Sequence, residues 1–120
     1  LLREETVCAD IEMLARALGI ESVRVVDPYD LEECERVLAE EMDRDAPSVV
    51  ISRRPCVLRV KSDGRRPYAV ERELCNDCGL CMRVACPALV KRDEGVVILE
   101  DACTGCGVCA QVCRREAIKG

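Results

Sequence analysis

Hydrophobic and polar positions follow two different spacings along the first fifty residues. Apolar residues at helical spacing begin after Asp10 and again after Asp30, and aspartate caps helices well. Two other short runs are almost continuously apolar, as in buried strands. The predicted elements are a helix over 11–18, a strand over 22–26, a helix over 31–42 and a strand over 48–52.

The helices and strands together predict a partial α/β segment. The first helix places Ile11, Leu14, Ala15 and Leu18 on one face, and the second is expected to bury a stripe of Leu31, Cys34, Val37, Leu38 and Met42. Strands with few polar alternations indicate a parallel sheet covered by helices on both faces. Two strands alone leave both sheet edges unpaired, so we expect the missing strands in a longer parent chain or a partner. A start at Leu1-Leu2 without methionine is consistent with a fragment.

Eight of the eleven cysteines form two closely spaced runs in the second half of the chain. The first run is Cys75-x2-Cys78-x2-Cys81-x4-Cys86-Pro87, and the second is Cys103-x2-Cys106-x2-Cys109-x3-Cys113. Such spacing is typical of the ligands of two [4Fe–4S] clusters, in which the fourth cysteine of each run binds the other cluster. This predicts two ligand sets. Site 1 is Cys75, Cys78, Cys81 and Cys113, and site 2 is Cys103, Cys106, Cys109 and Cys86.

Two other uses of these cysteines fit the sequence less well. A disulfide framework is disfavoured by the odd total of cysteines, the tight triplets and the lack of a signal peptide at the start of this sequence. A tetrahedral zinc site built from Cys75, Cys78, Cys103 and Cys106 would leave the other four cysteines without a role.

The two cysteine runs belong to an internal repeat. Residues 70–90 and 97–118 each predict an apolar strand, a cysteine loop, a short helix and a return strand, with Pro87 ending the first short helix. The predicted fold class is therefore α+β, with the partial α/β (helix–strand–helix–strand) segment followed by a pseudo-twofold bacterial ferredoxin-like 2[4Fe–4S] domain. The predicted boundaries are 1–60 for the α/β segment, 61–67 for a linker containing Asp63-Gly64, and 68–120 for the cluster domain.

Composition narrows the range of functions. The chain has no histidine, phenylalanine or tryptophan and carries a net charge of −5, so nucleic acid is not an expected partner. No apolar run is long enough to span a bilayer, and thiolate-ligated clusters indicate a cytoplasmic protein. A cluster module of this size buries little apolar surface, so we expect its apo form to be largely unfolded.

Three segments carry a resemblance to a known family. They are VRVVDPYD at 23–30, SVVISRRPC at 48–56, and the double cysteine run with four residues between Cys81 and Cys86. Together they resemble the C-terminal part of the indolepyruvate ferredoxin oxidoreductase alpha subunit. The resemblance implies that residues 1–60 correspond to the end of a thiamine diphosphate-binding domain and that the cysteine runs form its ferredoxin-like domain.

The family resemblance also implies a reaction and partners. Such enzymes oxidatively decarboxylate aryl-2-oxo acids with coenzyme A, and the cluster domain would pass the electrons to external ferredoxin. The partners would be the thiamine-domain portion and the beta subunit. Thiamine diphosphate and magnesium would bind only in the parent enzyme, since the GDG motif that holds them is absent here, and this chain alone is not expected to catalyse the reaction.

A second function stays open from the sequence, namely a free-standing ferredoxin-type carrier whose α/β appendage serves for docking or dimerisation. Three cysteines lie outside the runs. We predict Cys8 and Cys34 to be buried free thiols on helices and Cys56 to be a core cysteine at the start of a strand.

Overall fold

The computed structural model describes residues 7–57, 59 and 64–120. The chain forms two compact units, one made of Leu1–Pro28 and Glu32–Arg53 and the other of Tyr29–Leu31 and Arg54–Gly120. The predicted linker 61–67 lies partly outside the described residues, as does Asp63, so the predicted domain boundaries stay a prediction. In the described part of the chain, no helix is long and apolar enough to cross a membrane.

The first unit has the predicted order of elements. It contains α1 (Ile11–Ala17), β1 (Ser22–Val26), α2 (Leu31–Met42) and β2 (Ser48–Ser52). The two strands pair in parallel, with Ser22 opposite Ser48 and Val26 opposite Ser52. The Asp10 carboxylate accepts a hydrogen bond from the Met13 N–H, which confirms the predicted cap of α1.

Burial in the first unit differs from the predicted helix faces. Val37 is 1% exposed, as predicted. Met42 is 83% exposed and Leu38 is also exposed, so the predicted burial of these two residues of α2 was wrong. On α1 only Ala15 is buried, while Ile11, Leu14 and Leu18 are exposed. In the described residues this sheet has two strands. So small a sheet offers too little surface to cover the apolar face of each helix.

Besides Val37, helix α2 buries one charged residue, Glu41. Glu41 is 7% exposed, and its two carboxylate oxygens lie 3.3 Å from Arg24 Nη1 and 3.5 Å from Arg44 Nε. A hydrogen bond from Ser22 lowers the pKa of Glu41, and the two arginines and Ser48 lower it further. Glu41 therefore joins the end of α2 to the first residues of both strands.

The second unit repeats one order of elements around its two cysteine loops. The first half contains β3 (Ala69–Val70), a 3-10 helix (Leu80–Val84) and β4 (Leu89–Arg92), and the second contains β5 (Gly95–Ile98), a 3-10 helix (Glu100–Ala102), α3 (Val108–Gln111) and β6 (Ile118–Lys119). β3 pairs antiparallel with β6, and β4 pairs antiparallel with β5. The predicted sequence of strand, loop, short helix and return strand is therefore present in both halves.

The core of the second unit is aliphatic and includes cysteine. Its buried residues are Leu89, Val96, Cys109 and Ile118, with Cys81, Cys86 and Cys113 packed against them. The first short helix already ends at Val84, because Ala85 has a left-handed backbone with φ of 53°, so Pro87 is not its terminator. These cysteine side chains therefore lie against the core of the second unit.

Candidate metal centres

The four thiols of predicted site 1 line one cavity. Cys75, Cys78, Cys81 and Cys113 all border it, together with Gly79 and apolar side chains from β3, β5 and β6. Burial raises the pKa of Cys81, and the thiolates of Cys113, Cys75 and Cys78 raise it further. The structure therefore brings the last cysteine of the second run beside the triplet of the first run.

The four thiols of predicted site 2 are also neighbours. Burial raises the pKa of Cys109 to about 11, with further contributions from the thiolates of Cys106, Cys103 and Cys86. Cys86 comes from the first run, so here too a cysteine of one run lies near the triplet of the other. A thiol with a raised pKa binds metal only after losing its proton, so metal binding here must release protons.

Residues 75–81, here called loop 1, are held by a polar network from outside the cysteine run. The Asp77 carboxylate accepts a hydrogen bond from the Val96 N–H at 3.3 Å and lies 3.5 Å from two guanidinium nitrogens of Arg72. Arg72 also donates to the Val96 carbonyl at 3.4 Å. The hydrogen bond from Val96 lowers the pKa of Asp77, and Arg72 lowers it further, although burial opposes both. Loop 1 is thereby fastened to β5.

Residues 103–109, here called loop 2, are covered by a neighbouring segment of the chain. Residues 65–68, which we call the strap, cross this loop: the Tyr68 N–H donates to Cys103 Sγ at 3.5 Å. A Cβ added at Gly107 would lie 2.9 Å from the Tyr68 hydroxyl, and one added at Gly105 would lie 2.8 Å from the Arg66 carbonyl. Among the described residues, Gly79, the counterpart of Gly107 on loop 1, has no such close neighbour.

The residues present fit a pair of iron–sulfur clusters. Each site offers four cysteine sulfurs and aliphatic surroundings, which is the donor set that [4Fe–4S] clusters take. Gly79 and Gly107 precede the short helices with φ of 74° and 77°, a left-handed conformation that glycine adopts without strain. Within the described ranges no three or more acidic or cysteine side chains gather as around a single metal ion. A cubane spreads its thiolates over four irons, so wider spacing suits it.

The cysteines outside the runs differ from their predictions. None of the eleven cysteines, all of which lie within the described residues, forms a disulfide. Cys34 lies on α2, half-buried, with its sulfur 3.1 Å from the Asp27 carbonyl. Cys8 and Cys56 are exposed and belong to no helix or strand, so their predicted burial was wrong. Burial depends on neighbouring elements that a local pattern does not reveal.

Sequence reasoning missed Asp77, Arg72 and Tyr68. Superposing the two cysteine runs puts Asp77 where the second run has Gly105, and both residues have left-handed φ values, 52° and 67°. That mismatch was a usable indication, since a non-glycine residue in this conformation needs a compensating interaction. Tyr68 is one of two tyrosines in the chain, which contains no other aromatic residue.

Comparisons with known proteins agree with the cysteine pattern. Residues 96–119 match the 4Fe-4S binding domain family, Fer4. The indolepyruvate oxidoreductase subunit IorA of Methanothermobacter thermautotrophicus is 39% identical over 110 residues, which cover 91% of this chain and 18% of that subunit. The subunit IorA of Archaeoglobus fulgidus is 40% identical over 114 residues, with the same two shares. That of Pyrococcus horikoshii is 38% identical over 112 residues, covering 86% of this chain and 17% of the subunit.

The chain spans about 18% of the length of the curated relatives it matches. The matches nevertheless extend over most of the chain, through both the α/β segment and the cysteine runs. This confirms the resemblance predicted from the VVDPYD, RRPC and cysteine motifs. The chain is a relative of the C-terminal part of the IorA subunit, and it contains a 4Fe–4S binding domain.

Proposed function

We propose that this chain transfers electrons through two [4Fe–4S] clusters as the C-terminal portion of an indolepyruvate (aryl-2-oxo acid):ferredoxin oxidoreductase. The observation that carries the proposal is the exchange of fourth cysteines: Cys113 lies with the first triplet and Cys86 with the second. Two separate groups of four thiols in one small core are suited to two clusters close together. The identity to IorA subunits supports the choice of parent enzyme.

The proposed site residues act by binding and by shielding. The eight thiolates would hold the clusters, which when bound supply one-electron storage. The aliphatic side chains of Leu89, Val96 and Ile118 exclude water from the inner side of the sites. The Tyr68 N–H points its donor at Cys103, and hydrogen bonds to ligand sulfur favour the reduced, more negative state. The chain's own residues thereby set geometry and potential.

The remaining chemistry belongs to sequence outside this chain. Oxidative decarboxylation needs thiamine diphosphate and magnesium, and the GDG motif for them does not occur here. We propose that the thiamine-domain portion and the beta subunit supply the substrate site, with external ferredoxin as acceptor and the cytoplasm as the compartment. Residues 1–60 would be the end of the thiamine diphosphate-binding domain, 61–67 a linker, and 68–120 a ferredoxin-like domain with pseudo-twofold symmetry.

The test uses the assembled oxidoreductase with one cysteine changed at a time. Cys106→Ala removes a proposed ligand of site 2, while Cys56→Ala removes an exposed cysteine outside both runs. We expect the first variant to lose most ferredoxin reduction with an aryl-2-oxo acid and coenzyme A, and the second to retain it. Equal activity of the two variants would contradict the proposal. Full reduction of ferredoxin with an aryl-2-oxo acid and coenzyme A by the other subunits in the absence of this chain would favour a free-standing carrier.

A further inference from the structure

The two cysteine loops differ in how much of their surface is open. Cys78 on loop 1 is exposed, whereas its counterpart on loop 2, Cys106, is half-buried. The next pair repeats the difference, since Gly79 is half-buried and Gly107 is buried. Cys81 and Cys109 follow the same order, half-buried against buried. Three equivalent positions therefore agree that loop 1 is the more open one.

The strap covers the glycine of loop 2 but not its counterpart on loop 1. The Tyr68 ring lies against Gly107, and its hydroxyl is 2.9 Å from the place where a Cβ would stand. At the equivalent Gly79, no described atom other than its chain neighbours lies within 4 Å of that place. The strap therefore covers loop 2 alone, within the part of the chain that the structure describes.

A partly exposed apolar residue directly precedes loop 1. Leu74, directly before Cys75, is 39% exposed, and its carbonyl accepts a hydrogen bond from Arg115 Nε at 3.5 Å. Asn76 and Cys78 beside it are exposed too. Leu74 and these exposed neighbours together offer a protein partner both apolar and polar contacts beside the cysteines of site 1.

We infer that the face formed by residues 74–79 is the docking surface for the external one-electron carrier, an iron–sulfur protein whose own centre lies near its surface. Site 1 is then the point of exchange with the carrier, and site 2 lies under the strap. One electron passes from the reduced chain to the oxidised carrier, with no bond made or broken. This inference rests on the proposed electron-transfer function and assigns it a direction.

The repeat supplies matched variants for the test. Leu74→Glu places a charge at the proposed face, and Ala102→Glu places the same charge at the equivalent exposed position before Cys103. The holo-chain is reduced with dithionite, freed of excess reductant and mixed with an oxidised 2[4Fe–4S] ferredoxin in a stopped-flow instrument under argon. We expect Leu74→Glu to lower the second-order rate by about tenfold or more and Ala102→Glu to leave it within about twofold, because a charge buried in a contact disfavours association.

Two further measurements separate a lost contact from a damaged site. Oxidation by a small molecule such as methyl viologen should be equally fast in both variants and the wild type. Hydrogen exchange of the wild-type holo-chain should slow at 74–79, and not at 102–107, when the ferredoxin is added. An unchanged rate in Leu74→Glu, an equal loss in Ala102→Glu, or protection at 102–107 alone would overturn the inference. A wild-type holo-chain that exchanges no electrons with the ferredoxin would instead refute the proposed function.

Discussion

The packing of the strap on loop 2 predicts that alanine at Gly107 harms its cluster site more than alanine at Gly79 harms the other. Both glycines have left-handed backbones, with φ of 77° and 74°. Alanine in a left-handed backbone is about 1–2 kcal/mol less stable than glycine in the same conformation, and this cost is common to both variants. Only at Gly107 does the added Cβ also meet another group, the Tyr68 hydroxyl at 2.9 Å.

The additional cost at Gly107 follows from that contact. Forcing one extra carbon into a packed site costs about 1–3 kcal/mol, because Tyr68 must move. Since 1.4 kcal/mol corresponds to a factor of about ten, Gly107→Ala should open its loop roughly five to a hundred times more often than Gly79→Ala opens the other. A chelator captures iron from the opened loop. When the loop recloses faster than capture, the rate of iron release is proportional to the population of the open loop.

The assay is iron release from the holo-chain to a coloured ferrous chelator under argon. Gly107→Ala should release the iron of one cluster in a fast phase. Its rate constant should be roughly five to a hundred times that of the fast phase in Gly79→Ala. In a Tyr68→Ala background the contact is absent, so Gly107→Ala should then add only the backbone cost that Gly79→Ala shows. Equal release rates for the two glycine variants, or an undiminished difference in the Tyr68→Ala background, would refute the packing account.

Three other predictions concern the carboxylates and the metal. Because the pKa of Glu41 is lowered in the folded chain, its stabilising contribution is present above its unfolded pKa and is lost as pH falls through the folded value; Glu41→Gln should therefore flatten the pH dependence of hydrogen exchange in α2 below about pH 4.5, and an unchanged profile would count against its role. Asp77→Ala should speed hydrogen exchange in β5 by about fivefold to tenfold, the worth of one hydrogen bond, while Asp77→Asn, which keeps an acceptor for the Val96 N–H, should change it little; equal effects of the two would show that the hydrogen bond to Val96 is unimportant. Iron removal should abolish the protection from hydrogen exchange of the amides that pair β3 with β6, because the clusters cross-link a small core. Native-like protection in the apo chain would contradict that dependence.

The sequence predicted local elements well where the pattern was strong. Both strands of the first unit begin and end as predicted, at 22–26 and 48–52, because apolar runs between turn residues specify strands locally. The first helix ends at Ala17, one residue before the prediction, followed by Gly19 with φ of 87°. The assignment of each fourth cysteine to the other run's cluster stays a prediction from spacing.

What the sequence could not supply is which surfaces meet. Leu38 and Met42 fit the apolar stripe of α2, yet they are exposed because the two strands of the described sheet do not extend over them. The interaction of Asp77 with Val96 and the strap of Tyr68 over Gly107 join residues about twenty to forty positions apart, and no local pattern encodes such contacts. Burial and long-range contacts therefore needed the structure.

The most direct test of the account is iron and sulfide analysis combined with EPR of the dithionite-reduced holo-chain, in wild type and three cysteine variants. We predict about eight irons per chain and coupled signals of two reduced [4Fe–4S] clusters in the wild type. Cys113→Ala should alter the same cluster signal as Cys78→Ala and a different one from Cys106→Ala, because Cys113 lies with the first triplet. About four irons per chain, zinc in place of iron, or a Cys113→Ala spectrum that matches Cys106→Ala would contradict the two crossed sites.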